Sequence, residues 1–137
     1  DDKENFKNVY SCPDKQISEF IKWIKEQPFY ENTLIVVVGD HPTMGFDEIA
    51  AGKKRRVFNL YINSVISDRQ FIKQRDFTAL DTLPTLLEAI GYVVPNHKFG
   101  LGVSLFSGEK TLLEEIGDVE VFSNELNMQS AVYNKIF

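Results

Sequence analysis

The chain has 137 residues, of which 43% are hydrophobic and 26% charged, and a formal net charge of -5. Eleven Phe and five Tyr supply a core, which excludes a disordered chain, and the acidic balance excludes a broad nucleic-acid surface. One cysteine, Cys12, cannot form an internal disulfide, and no apolar run is long enough to span a bilayer.

Asp1 to Tyr10 is polar and reads as an irregular lead-in. Ser11, Pro13 and Asp14 then give a helix start, with Cys12 as a small, partly buried neighbour. Ile17, Phe20, Ile21 and Ile24 follow at i, i+3, i+4 and i+7, one apolar helix face, and Pro28 ends the helix. Leu34 to Val38 is a β-branched run between Asn32-Thr33 and Gly39, the pattern of a strand covered on both faces in a parallel sheet. Trp23 and Tyr30 read as packing residues.

Pro42 to Arg56 is a polar loop, Val57 to Ile62 a second strand, and Ser64 to Phe77 mixed and charged. Asp81 or Thr82 is placed to cap a second helix with Pro84 in its first turn. Leu83, Leu86, Leu87 and Ile90 form its apolar stripe, and Gly91 is its left-handed stop. Pro95 to Gly102 is a turn-rich link, Val103 to Phe106 a short strand, and Ser123 the start of a last helix carrying Leu126, Tyr133 and Ile136. The expected organisation is one domain portion over 1–137, with a helix-strand-strand-helix core at 11–91 and a small α+β tail at 92–137. Two strands cannot make a doubly covered sheet. The chain, which opens at Asp1 without an initiator Met, therefore reads as a piece of a longer protein, with an apolar face left open and a tendency to self-associate.

Asp40 and His41 stand directly after the apolar strand, where parallel α/β sheets gather ligands. A carboxylate beside an imidazole suits Zn²⁺ or Mn²⁺ better than Ca²⁺, while Mg²⁺ more often takes oxygen donors alone. The plain alternative is a loop cap beside a surface histidine. Two donors do not complete a site, so further ligands must come from elsewhere. His97, in a Pro/Asn/Gly-rich turn, reads as a solvent-facing loop residue, with a third ligand as the alternative. Lys53, Lys54, Arg55 and Arg56 form a basic run that is either a solvated face or a grip on phosphate. No Ser-His-Asp triad, phosphate-binding loop or cysteine-rich zinc pattern is present.

Tyr30 to His41 resembles the late metal-binding strand of the sulfatase and alkaline-phosphatase superfamily, in which an Asn-Thr pair, an apolar run and Gly-Asp-His occur in order. Asp81 to Gly91 is similar to the Pro-Thr helix that follows in the same superfamily. Arg56 to Asn63, and Gly100 to Gly108 with Thr111 to Glu115, resemble the phosphoglycerol transferase and lipoteichoic acid synthase branch.

The resemblance implies an α/β fold, part of an alkaline-phosphatase-like sandwich whose mainly parallel sheet is flanked by helices. It implies a membrane-anchored parent with its catalytic domain outside the cytoplasm, periplasmic or extracellular. That parent would move glycerol phosphate from phosphatidylglycerol, or act on another anionic phosphoester, with a glucan or polyglycerolphosphate acceptor. It carries over Asp40 and His41 as ligands of a divalent metal, Mn²⁺ first with Zn²⁺ or Mg²⁺ as alternatives. The threonine nucleophile and an acidic ligand are expected upstream, so this piece alone is expected to be inactive and to need the upstream half of its domain as partner. A sulfatase or phosphatase of the same superfamily is one alternative, and a non-catalytic α/β interaction module is another.

Overall fold

A computed structural model describes residues 2–41, 56–67, 70, 72–128, 130 and 135. They form a mixed α/β chain that divides into two compact units, Asp1–Asn63 and Ser64–Phe137.

In the first unit, α1 runs from Asp2 to Lys25, nine residues earlier than the Ser11 start that the sequence suggests. Pro13 lies inside it. Proline removes the amide that would bond the Val9 carbonyl, but Val9 is exposed and solvent can serve that carbonyl, so the helix continues through. Cys12 is accordingly an exposed residue in the helix, not a partly buried one beside its start. Of the predicted apolar face, Ile24 is buried while Ile17 and Phe20 are 44% and 59% exposed. Trp23 is also largely exposed, stacked on Phe20 with ring centres 5.9 Å apart and meeting Phe29 edge-on at 6.3 Å.

The chain turns at Tyr30–Asn32 and enters β1, Ile35–Val38. β2, Asn59–Ile62, pairs with it antiparallel, Ile35 opposite Ile62 and Val38 opposite Asn59. Asn63 adopts a left-handed backbone (φ 64°), and its Nδ2 donates to the carbonyls of Tyr30 and Thr33 at 2.8 and 3.0 Å. That side chain ties the exit of β2 to the entry of β1. The expected mainly parallel sheet is not among the described residues, and β1 is half-buried instead of covered on both faces. Parallel neighbours require crossover connections from other strands, and no described strand precedes β1.

In the second unit, a single turn at Ala79–Asp81 leads into α2, Thr82–Ala89. The hairpin of β3, Lys98–Phe99, and β4, Gly102–Val103, packs on that helix, followed by α3, Leu112–Ile116, and α4, Val119–Leu126. The buried side of α2 is not its leucine stripe. Leu83 and Ile90 are 45% and 47% exposed, while Pro84, Thr85, Glu88 and Ala89 are buried. The reason is polar: Thr85 Oγ1 donates to the Asp81 carbonyl at 2.6 Å and accepts from Leu105 N at 2.9 Å, so the helix turns this face to the tail. Val94, Val103, Leu105, Phe106 and Phe122 complete the core.

The tail is more helical than its composition suggests. Thr111 caps α3 with a reciprocal box to Glu114, and Gly117, left-handed at φ 75°, stops it. Asp118 then caps α4 by accepting from Glu120 N and Val121 N at 2.8 and 3.0 Å, so this helix begins before the predicted Ser123. Tyr133 and Ile136, assigned to that helix from sequence, lie outside the described residues. Among the described residues no helix is long and apolar enough to cross a membrane.

Candidate metal centre

β1 delivers Asp40 and His41. The strand ladder runs one residue past Val38, with Gly39 N donating to the Phe58 carbonyl at 2.8 Å, and the two polar residues leave immediately afterwards. Asp40 accepts from the His41 backbone amide at 2.9 Å through Oδ1, which fixes the carboxylate over the turn. Its other oxygen, Oδ2, faces His41 Nε2 at 3.4 Å. Both side chains are open to solvent, Asp40 the more so.

The separation of 3.4 Å is long for a hydrogen bond between these atoms. It does match two neighbouring ligands on one cation, since bonds of about 2.0–2.2 Å at tetrahedral or octahedral angles set adjacent donors roughly 3.0–3.6 Å apart. The donor set, one carboxylate oxygen and one imidazole nitrogen, therefore fits a borderline divalent ion such as Zn²⁺ or Mn²⁺. It is a partial fit: among the described residues no group of three His, Cys, Asp or Glu converges to hold a metal.

At the same end of the sheet, Asn59 stands opposite Val38. Its Oδ1 is buried with no hydrogen-bond partner among the described residues. Two residues along, Tyr61 is buried, and burial pushes its hydroxyl above the usual phenol value, against the lowering effect of a hydrogen bond to Asn59. Of the basic run, Arg56 is exposed, and Lys53, Lys54 and Arg55 lie outside the described residues.

The other sequence candidates are structural. His97 is solvent-facing, its side chain 52% exposed, and its Nδ1 also lies 2.6 Å from Oε1 of the buried Glu88. Asp81 sits at the N-cap position of α2 but makes no side-chain cap to it. Its Oδ2 accepts from Thr78 N and its Oδ1 from Val103 N, both at 2.8 Å, stapling the helix entry to β4.

Sequence reasoning passed over Arg75 and Glu114, a two-pronged ion pair of the second unit. Nε and Nη2 of Arg75 donate to the two carboxylate oxygens at 2.7 Å each. That bond first of all, with backbone amides of Thr111 and Asp76 adding to it against the opposing effect of burial, lowers Glu114 from 4.5 to about 2. The Thr111-Leu112-Leu113-Glu114 spacing is a capping-box signal that marks Glu114 in the sequence, but nothing local marks Arg75, 39 residues away.

No protein-family model matches the chain, and no solved structure matches it. Among curated proteins it is similar to phosphoglycerol transferase I of Xanthomonas campestris pv. campestris (strain B100) and of Xanthomonas axonopodis pv. citri (strain 306). Each is 31% identical over 85 residues, which cover 61% of this chain and 12% of the relative. The same protein of Xanthomonas euvesicatoria pv. vesicatoria (strain 85-10) is 29% identical with the same coverage. The match thus takes in about an eighth of each relative's length. Over that limited stretch the chain is related, weakly, to the phosphoglycerol transferases.

Proposed function

We propose that this chain is part of an extracytoplasmic, metal-dependent phosphoglycerol transferase, and that Asp40 and His41 are two of the ligands of its divalent cation. The parent is membrane-anchored, takes glycerol phosphate from phosphatidylglycerol, and passes it to a glucan or polyglycerolphosphate acceptor. The cation is Mn²⁺ in this reading, with Zn²⁺ or Mg²⁺ as alternatives, and the threonine nucleophile and remaining ligands lie outside these 137 residues. The rest of an alkaline-phosphatase-like sheet packs where β1 and the exposed face of α1 are open. The supporting observation is the opposed pair of donors, Asp40 Oδ2 and His41 Nε2, 3.4 Å apart at the end of β1.

When bound, the cation supplies positive charge for the transferring phosphoryl group and for ionising the nucleophile. The chain's own part is positional. Gly39 carries the ladder to its last bond, and the His41 amide orients the carboxylate by holding Oδ1, leaving Oδ2 toward the imidazole. A sulfatase or phosphatase would use the same donor pair. The name carried by the similar proteins favours the transferase.

The test is a titration of Mn²⁺ into the chain, read by paramagnetic broadening of the His41 ring signals. Broadening at low millimolar Mn²⁺ is expected, in keeping with a site of two ligands, and Asp40→Ala should abolish it. Equal broadening in the variant overturns the metal assignment. Assay of the parent protein on phosphatidylglycerol against aryl sulfates and aryl phosphates then decides the reaction.

A further inference from the structure

A cleft of about 430 Å³ opens on the second unit, lined by Gln70, Lys73, Arg75, Gly108, Lys110 and Glu114. Its floor is rigid. Arg75 Nη1 donates to the Ser107 carbonyl at 2.9 Å and Nη2 to that of Glu109, while Glu114 accepts from Asp76 N at 3.2 Å and Thr111 N at 2.9 Å. Thr111 Oγ1 also donates to the Asp76 carbonyl at 2.6 Å. The 75–76 and 107–111 segments are therefore tied to each other through several bonds, and little ordering is left for a ligand to impose.

The charge on this cleft runs against that of the chain. Arg75 and Glu114 neutralise one another, and they are only 12% and 20% exposed. Lys73 and Lys110 are exposed and have no hydrogen-bond or ion-pair partner among the described residues. Three positive groups against one carboxylate leave a surplus of two positive charges in the lining of a protein whose formal net charge is -5. Two unpaired ammonium groups on one concave surface repel each other and attract an anion. A phosphate ester has the complementary sign: a monoester brings up to two negative charges and three terminal oxygens, a diester such as a phospholipid headgroup one charge and two terminal oxygens.

We propose that this cleft binds a phosphate-ester anion, with Lys73 and Lys110 as its charged contacts. The site shares no residue with Asp40 and His41 and does not rest on the metal reading. The phosphate can belong to a soluble ester or to a lipid headgroup.

The ¹H–¹⁵N spectrum of the 137-residue chain, followed on adding glycerol 1-phosphate and separately vesicles of phosphatidylglycerol or phosphatidylcholine, tests this. Saturable shifts or broadening at the amides of Lys73, Gly108 and Lys110 are expected with one or both anionic probes and not with phosphatidylcholine. Response to glycerol 1-phosphate assigns a soluble phosphate ester, and response to phosphatidylglycerol vesicles alone assigns the headgroup. Lys73→Gln combined with Lys110→Gln should weaken binding at least about fivefold with an unchanged melting temperature, and raising NaCl should weaken it in the wild type. Asp40→Ala should leave it unchanged. No change at these amides with either anionic probe, or equal affinity in the double variant, overturns the proposal.

Discussion

Arg75 and Glu114 meet in a two-pronged ion pair, Nε to Oε1 and Nη2 to Oε2, each 2.7 Å. Glu114 thereby links α3 to residues 39 positions earlier while its backbone amide is capped by Thr111. A carboxylate held this way is stabilised in its charged form, which is why its pKa drops from 4.5 to about 2.

The pH dependence follows from that direction. A depressed carboxylate contributes stability above its unfolded value, and the contribution is lost as pH falls through the folded value. Glu114 should stabilise the second unit fully above about pH 5 and lose its contribution between about pH 4.5 and pH 2. Glu114→Gln should cost about 1–3 kcal/mol at neutral pH. Urea melts of wild type and variant between pH 2 and 7 should converge toward the acid end. A constant gap over the whole range would show that the charge of Glu114 is not what stabilises the fold.

Gly102 tests the packing of the hairpin on the turn before α2. A Cβ built there lies 1.9 Å from the Leu80 carbonyl oxygen and 2.6 Å from its carbon. Both are backbone atoms, so no side-chain rotation relieves the clash. Gly102→Ala should destabilise the second unit by about 2 kcal/mol or more. Gly100→Ala, in the same hairpin but with nothing within 4 Å, should carry only the smaller penalty of its left-handed backbone (φ 61°). Thermal melts of the two variants rank the effects, and the reverse ranking would refute the close approach.

Asp81 gives a third test. It is 2% exposed, and its two oxygens serve two amides in different segments, Thr78 and Val103. Asp81→Ala leaves the buried Val103 amide and the part-buried Thr78 amide without this acceptor and should cost about 3 kcal/mol. Asp81→Asn keeps one acceptor oxygen and should cost less. Hydrogen exchange at Val103 should accelerate in both variants, more in the alanine.

These polar staples explain what the sequence does and does not reveal. β1 and β2 are legible because runs such as Ile35 to Val38 fix a strand locally, and α2 because Pro84 and Gly91 punctuate it. The orientation of α2 is not legible. Periodicity points to Leu83 and Ile90 as core, and Thr85 and Asp81 override it by bonding the backbone of Leu105 and Val103 some 20 residues on. Pro13 misleads in the opposite way, since a proline is a start signal only where helix formers do not already precede it. The placement of Asp40 and His41 at a strand end can be read from Gly39 and the apolar run, but the third donor that would complete a metal site cannot be read from residues two positions deep.

The exposed aromatic face of α1 yields the last prediction. Phe20 stacks on Trp23, and Phe29, just past the helix, meets Trp23 edge-on; the three remain 59%, 51% and 49% exposed, whereas Ile24 of α1 is 8% exposed. Removing an exposed side chain forfeits little burial within the unit, but removing a buried one leaves a cavity. Phe20→Ser should therefore change the stability of the chain by less than about 1 kcal/mol, and Ile24→Ala should cost about 2–4 kcal/mol. If this face is where further sequence or a second copy packs, Phe20→Ser combined with Trp23→Ser should also abolish concentration-dependent sedimentation of the wild-type chain. Large destabilisation by Phe20→Ser in a chain that sediments as a monomer would place Phe20 in the core of the unit instead, and the open face would have to be sought on β1, where Val38 is 51% exposed.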